Sequence, residues 1–455
     1  MPECGTLGYF GDARRAAIGT ELIERVVASG SLVIRKLGGT RAGELAFHRF
    51  LSAPSVSCRE MLDTLGARTL AACLGRRIVV AQDTTEVNFS GRQASRYGLG
   101  PGGDGVSAGF FVHPLVAIDA ESEAVLGLLD TQIWTRAPGI ADTPRRERGL
   151  DDKESVRWAQ GVARAADLLA GAASVVVVSD RESDIYGGFV RRPAGADIII
   201  RAAHDRAVAE GEHLFASTAD WPELARTEVK VAPRKIGDPG RTAIVALRAG
   251  LVTIKRPRHG FDPGDPPTVT LTLVEAREVG TPPDGRPLLW RLLTSIVADD
   301  AEGAREIVRL YRLRWRIEEV FRALKRDGMD LEATQLHGAE RLFKLAVVGL
   351  AAATRIIQLV DARGGSTRPA TDVVDAALLP TAQAIGATLQ GRTARQKNPH
   401  PDGSLAWLAW IIARLGGWNC YYKPPGPKTM HAGWAQFATM AAGFNIAANL
   451  TKSIQ

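Results

Sequence analysis

The sequence predicts a mixed α/β protein in which a strand-bearing centre is flanked by helical units at both ends. Three observations predict it. Apolar residues recur at helical spacing through the first seventy positions, short apolar runs bounded by turn residues take over from Arg76, and helical spacing returns beyond residue 300. The resulting division is a helical domain at 1–70, a central domain at 71–365 with a β-rich insertion at about 196–297, and a helical domain at 366–455. At 455 residues the chain exceeds what one ordinary core organises.

Each element follows from its own pattern. Residues 20–28, 42–51 and 57–65 carry apolar side chains at helical spacing, with Pro54 separating the last two. The runs at 78–81, 110–118 and 125–129 read as three strands joined in a hairpin-linked meander. An amphipathic helix is expected at 151–170. The four consecutive valines within 174–179 then predict a strand buried on both faces, followed by a helix at 181–191. Between 196 and 297 the runs 198–200, 242–247, 251–255, 268–276 and 288–296 alternate with Pro/Gly turns at 237–240 and 263–267, so strand dominates. Helices return at 340–359 and, after the break at Gly364-Gly365-Ser366, near 371–389, 404–415 and 432–449.

Composition narrows the function classes. A hydrophobic content of 45% is that of a globular protein, which excludes disordered and fibrous classes. Fifty-seven Lys and Arg against fifty Asp and Glu give a net charge of +7, and the basic residues gather at 201–206, 230–235 and 255–259, as a track of phosphates would require. Cys4, Cys58, Cys73 and Cys420 are isolated from one another and from any histidine cluster, so neither a zinc site nor a disulfide framework is expected. No apolar signal core opens the chain, and no stretch reads as the run of about eighteen apolar residues that a membrane span needs. A cytoplasmic protein with no membrane partner is expected.

The densest chemical signal lies between Arg305 and Arg326, where eight Lys or Arg stand against three Glu. On one continuous helix, Tyr311, Arg314, Glu318 and Lys325 share an arc of roughly 60°. Leu310, Leu313, Ile317, Val320, Phe321 and Leu324 would fill the neighbouring, buried arc. A carboxylate is thereby framed by cations at a core edge. Taken alone, such a stripe is ordinarily a solvated face laced with Glu/Arg pairs. Two further acids change its weight: Asp83 and Asp180 each follow an expected strand, and carboxylates at strand ends can converge above one sheet edge. Singly, either aspartate would be read as a turn or helix cap. Together with Glu318 they form a set of hard oxygen ligands able to hold two Mg²⁺ ions for phosphodiester chemistry.

These residues also resemble a family. Asp83-Thr84-Thr85, the string from Asp180 to Ile185, and Tyr311, Arg314, Glu318 and Lys325 at their spacing are similar to the three catalytic motifs of bacterial Asp-Asp-Glu cut-and-paste transposases, in particular the YREK-signature insertion-sequence family (insertion sequence four group). Residues 10–15 and 49–51 are similar to the family's amino-terminal DNA-binding unit, 153–155 with Trp158 to a core helix, and 415–418 with 424–429 to its carboxy-terminal region. The resemblance implies a ribonuclease-H-like core with a β-rich insertion, an amino-terminal DNA-end-binding domain and a carboxy-terminal dimerisation domain. It further implies Mg²⁺ or Mn²⁺ at Asp83, Asp180 and Glu318, and a homodimer acting on double-stranded transposon ends and target DNA. The reaction implied runs through nicking, hairpin formation, hairpin opening and strand transfer. Trp290 matches a tryptophan that receives a flipped base, Tyr311, Arg314 and Lys325 would grip phosphates, Arg201 resembles a further phosphate contact, and Trp315 would stack on DNA or fill the core.

Other readings are weaker. Gly105-x-Ser107-x-Gly109 has the spacing of a hydrolase elbow, but an expected strand follows it where a helix is required. The glycine-rich stretch 98–105 lacks the Gly-Lys-Ser/Thr of a phosphate loop, so no nucleotide cofactor is expected. A stand-alone nuclease would need neither the basic insertion nor the carboxy-terminal helices. The alternative from another class is a catalytically inactive, transposase-derived DNA-binding protein or repressor, which a missing acid would have favoured; none is missing.

Overall fold

Asp12 opens the first helix of the computed structural model, which describes residues 5–89, 98–136, 150–151, 153–209, 211, 213–231, 240–282, 285–325 and 329–454, with side chains up to 444. The Asp12 carboxylate accepts from the backbone N–H of Arg14 at 2.8 Å, and Gly30, at φ 60°, closes α1 (Ala13–Ser29) in the left-handed region. A cap of this kind stabilises a helix by about 1 kcal/mol. Then come α2 (Ile34–Gly38), α3 (Arg41–Ser52), whose cap Thr40 accepts from Gly43 N–H, and α4 (Cys58–Cys73). The three expected amino-terminal helices are thus present. The five-residue α2 is too short to show a period.

Strands β1 (Arg77–Gln82), β2 (Thr85–Phe89), β3 (Gly100–Pro101), β4 (Ala108–Asp119) and β5 (Val125–Trp134) follow, then α5 (Val156–Leu168) and β6 (Ser174–Ser179). The expected helix at 181–191 is a single 3₁₀ turn at Arg181–Ser183 and a short α6 (Tyr186–Val190). Next are β7 (Asp197–Arg201), β8 (Ala225–Val231), β9 (Arg241–Lys255), β10 (Thr268–Glu278) and β11 (Leu289–Thr294). The helical remainder comprises α7 (Ala301–Arg312), α8 (Trp315–Lys325), α9 (Ala339–Ala362), α10 (Leu379–Thr388), α11 (Leu405–Leu415) and α12 (Pro427–Ile454). Cys4, Lys235, Arg326 and the turn expected at 237–239 lie outside the described residues.

The chain forms two units. One comprises Cys73–Asp83 and Gly139–Trp315. Its strands run in the order β1-β6-β7-β11-β10-β9-β8, a mixed sheet in which β1, β6 and β7 are parallel and the rest antiparallel. This mixed sheet is consistent with a ribonuclease-H-like domain. Val177, Val178, Ile198 and Ile199 are wholly buried, as the valine run predicts. The runs at 242–247 and 251–255 are one strand, because β10 pairs with β9 without interruption from Glu278↔Val245 to Thr268↔Lys255. Gly250 sits within it, where a Cβ would stand 3.0 Å from the Trp221 ring.

The other unit comprises Met1–Ala72, Thr84–Pro138 and Arg316–Gln455. Its strands are antiparallel: β4 pairs with β5 in the expected hairpin, and also with β2 and β3. Helix α9 is its centre and packs against α1, α3, α11, α12 and β5. Lys344 carries a charge into that core. Lys344 Nζ donates to the carbonyls of Leu51 and Ala53 at 3.1 and 3.0 Å, at the carboxyl end of α3 where a cation is favoured. By length and composition α9 could cross a membrane, which corrects the expectation that no stretch would, but 89% of its apolar window is buried inside the protein. Its hydrophobicity is spent on the core.

Candidate active site

The two aspartates are positioned by strand pairing. Strand β1 runs parallel to β6 with Ala81 opposite Val178, and the register continued by two residues carries Asp83 to the level of Asp180. Both acids therefore stand at the carboxyl ends of adjacent parallel strands, where open α/β sheets place ligands. Just beneath them, Gln82 Nε2 donates to Ser179 Oγ at 2.9 Å and to the Trp158 carbonyl at 3.3 Å, tying β1, β6 and α5 together. Asp180 Oδ1 accepts from the Glu182 N–H at 2.9 Å and so caps the turn Arg181–Ser183. The capping role and the strand-end position thus coexist at Asp180.

Asp184 plays a different part. Its side chain is wholly buried and accepts from Arg206 Nε at 2.9 Å and from the N–H groups of Ala203 and His204 at 2.7 and 2.9 Å. This fixes the chain that leaves β7 at Arg201 against the turn that leaves β6 at Asp180. A carboxylate satisfied this fully is structural.

Around the aspartates the same unit gathers cations and aromatic rings. Arg314 Nη1 donates to Asp83 Oδ2 at 2.8 Å, with both side chains largely buried. Arg201 Nη2 donates to the Leu289 carbonyl at 3.1 Å. Burial lowers the Arg201 pKa from its ordinary value, as do the positive charges of Arg181 and Arg314, while Tyr311 and Asp180 act the other way. Burial also raises the Tyr311 phenol, against the opposing pull of Arg314 and Arg201, with Asp180 adding to the rise. Tyr311 meets Trp290 edge to face, with ring centroids 5.3 Å apart. Tyr311, Arg314, Arg201 and Trp290 are thus brought to one place beside Asp180. Arg181, which no sequence argument singled out, joins them; its signal is its position next to a strand-end acid.

The structure corrects the expectation that Tyr311, Arg314, Glu318 and Lys325 share one arc of a single helix. Helix α7 ends at Arg312 and α8 begins at Trp315. Between them the N–H groups of Leu313 and Arg314 donate to the carbonyls three residues back, at 3.0 Å each, tightening the last turn. The apolar face survives the break, since Leu310, Leu313, Ile317, Val320, Phe321 and Leu324 are all buried. Trp315 is 47% exposed, with the Arg314 guanidinium 5.6 Å from its ring centroid, which removes the core-filling alternative for this residue.

Glu318 and Lys325 lie on α8 within the other unit, where Glu318 is half-buried. Lys325 Nζ donates to the Glu86 carbonyl and stands 3.3 Å from Glu332 Oε1, so part of its binding capacity is spent within the chain. Thr84 Oγ1 lies 2.9 Å from Nδ1 of the buried His113.

The donor chemistry at the strand ends fits a hard divalent cation, since both acids offer only oxygen. The present occupant of the Asp83 carboxylate is Arg314. Among the described residues, no group of three or more His, Cys, Asp or Glu side chains stands together as a metal site. A cation binding there would share Asp83 with the guanidinium or displace it.

Residues 177–355 match the family model of the transposase DDE domain. The matched stretch contains Asp180, Arg201, Trp290, Tyr311, Arg314, Trp315, Glu318 and Lys325, whereas Asp83 precedes it. The match supports a DDE transposase, an enzyme that acts on DNA.

Proposed function

We propose that this protein is a cut-and-paste DNA transposase of the YREK-signature group, with Asp83, Asp180 and Glu318 as its catalytic carboxylates. The observation that carries the reading is the parallel β1–β6 register, which sets Asp83 and Asp180 at neighbouring strand ends beside Arg201, Tyr311 and Arg314. DDE transposases generally use divalent metals. Bound to the three carboxylates, two Mg²⁺ or Mn²⁺ ions would activate the attacking water or 3′-hydroxyl and steady the leaving oxygen.

The chain's own residues do the rest. Gln82 and Ser179 hold the two strand ends in register. Arg201, Arg314 and Lys325 take phosphate oxygens on either side of the scissile bond, with guanidinium forks suited to bidentate contact. Trp290, braced by Tyr311, offers an aromatic face to a base turned out of the duplex, and Trp315 offers a second, exposed stacking surface. Nicking, hairpin formation, hairpin opening and strand transfer then reuse one site, within a homodimer that holds two transposon ends.

A plasmid excision assay tests this. The coding region with its natural flanks, cloned between primer sites, should be excised by the wild-type protein supplied with Mg²⁺ and left in place by Asp180→Ala. Excision by the variant at the wild-type rate would overturn the assignment.

A further inference from the structure

We propose that the β-rich insertion carries a second contact for the DNA backbone, a row of arginines preset by the buried Glu275; this rests on the reading of the protein as DNA-acting. Glu275 lies on β10 directly opposite Arg291 of β11 and Arg248 of β9, so the three residues form one transverse row on one sheet face. Arg277, two residues along β10, shares that face. The carboxylate is 1% exposed. It accepts from Arg277 Nε and Nη2 at 3.0 and 3.1 Å, from Arg291 Nε at 3.1 Å and from Thr218 Oγ1 at 2.9 Å, while Arg248 Nη1 stands at 3.7 Å.

One arginine would neutralise Glu275; three leave an excess of positive charge. Burial works to raise the Glu275 pKa, yet the hydrogen bonds from Arg277 and Thr218 and the charges of Arg277 and Arg291 prevail and hold it below the usual range. The arginines are also held from the side. Arg291 lies 4.3 Å from the Phe215 ring centroid, and Arg248 Nε donates to the Trp221 carbonyl at 3.1 Å. Much of the rotamer entropy of binding an anion is therefore already spent in the folded protein.

Donors remain available. A guanidinium has five N–H groups, and Arg277 directs Nε and Nη2 at Glu275 while its side chain is 49% exposed. Arg248 and Arg291 lie two strands apart, about 10 Å, and keep partly exposed side chains at the margins of the segment whose Phe215, Thr218 and Trp221 pack over Glu275. That geometry suits an extended chain of phosphates better than a single small anion. Glu223 pairs with Arg226 and also feels the charge of Arg248, and Glu228 of β8 shares this face, so part of the excess is offset at the Arg248 end of the row while Arg277 and Arg291 keep theirs.

Fluorescence anisotropy of the full chain with a random-sequence duplex of about 30 base pairs, titrated across KCl concentrations, tests the proposal. Arg277→Gln should weaken binding several-fold and reduce the slope of log K against log salt by about 0.9, the loss of one phosphate contact. Glu275→Gln separates positioning from bulk charge. Removing a negative charge should tighten binding if only net charge matters, whereas loss of the shared anchor should weaken it, and weakening is the expected result. Wild-type affinity and slope in Arg277→Gln, or tighter binding by a folded Glu275→Gln, would overturn the proposal. If circular dichroism shows Glu275→Gln unfolded, Arg277→Gln decides alone. Wild-type protein that binds no duplex would sink the DNA-acting reading as well, whereas wild-type binding with Arg277→Gln unchanged would sink this surface only.

Discussion

Arg314 Nη1 lies 2.8 Å from Asp83 Oδ2, so a guanidinium balances a carboxylate on which the proposed metal chemistry depends. The two groups come from chain segments 231 residues apart. A divalent cation must compete with that guanidinium, and charge-assisted pairs of this kind contribute about 1.5 to 3 kcal/mol. Arg314→Gln should therefore bind Mn²⁺ about tenfold more tightly in the absence of DNA, as read by Mn²⁺ electron paramagnetic resonance. The same variant should hold DNA less well, since Arg314 would no longer be released to a phosphate. Unchanged Mn²⁺ affinity would show that the ion pair does not gate the carboxylate.

Asp83→Ala, Asp180→Ala and Glu318→Ala should each keep DNA binding and lose strand cleavage by a factor of about a thousand or more, because activation of the nucleophile and stabilisation of the leaving oxygen disappear together. Gel-shift and nicking assays on the same preparations read the two effects separately. Metal-dependent cleavage at wild-type rate in any one of them removes that residue from the catalytic set.

Trp290→Ala should slow hairpin formation more than the first nick, by about tenfold or more, since a flipped base loses a stacking surface of about 1 to 3 kcal/mol. Trp290→Phe should recover part of the rate. Because Trp290 also packs edge to face on Tyr311, thermal melting of each variant provides the control. Equal slowing of both steps by Trp290→Ala would reduce the residue to a packing role.

A pH dependence is expected from Asp361. Burial pushes its carboxyl from 3.8 up to about 6, although Arg316 Nη2 stands 2.7 Å away and the Val125 N–H donates to it at 2.9 Å. Between about pH 4 and pH 6 the unfolded chain gives up this proton while the folded chain keeps it, so folding stability falls as pH rises through that window, by about 3 kcal/mol. Above it the difference is constant. Asp361→Asn, with Arg316 and Glu319 left facing it, should shrink that fall in urea-unfolding measurements. An equally steep fall in the variant would show that Asp361 titrates at its ordinary value.

Elements whose signal is local were legible in the sequence. The valine run gave a buried strand at β6, the spacing through 340–359 gave α9, and the three amino-terminal helices stand where their apolar periods put them. Strand β2 carries its signal in five residues alone, with Thr85, Val87 and Phe89 buried and Glu86 and Asn88 half-buried, a run too short for its alternation to stand out from a loop. Strand β8 has little apolar signal because its run from Ala225 to Val231 carries Arg, Glu and Lys, as sheet edges commonly do.

The sequence by itself determined which residues could do the chemistry: Asp83 and Asp180 after expected strands, Glu318 within a basic helical stretch, and Trp290 on an expected strand. Only the tertiary structure decided which of them meet. The β1–β6 pairing that aligns the two aspartates joins segments distant in the chain through backbone hydrogen bonds, and such bonds use no side-chain signal that a local reading can detect. The break after Arg312 has the same origin. Apolar spacing runs through it without interruption, and it takes the turn bonds of Leu313 and Arg314, with the ion pair to Asp83, to divide one expected helix into two.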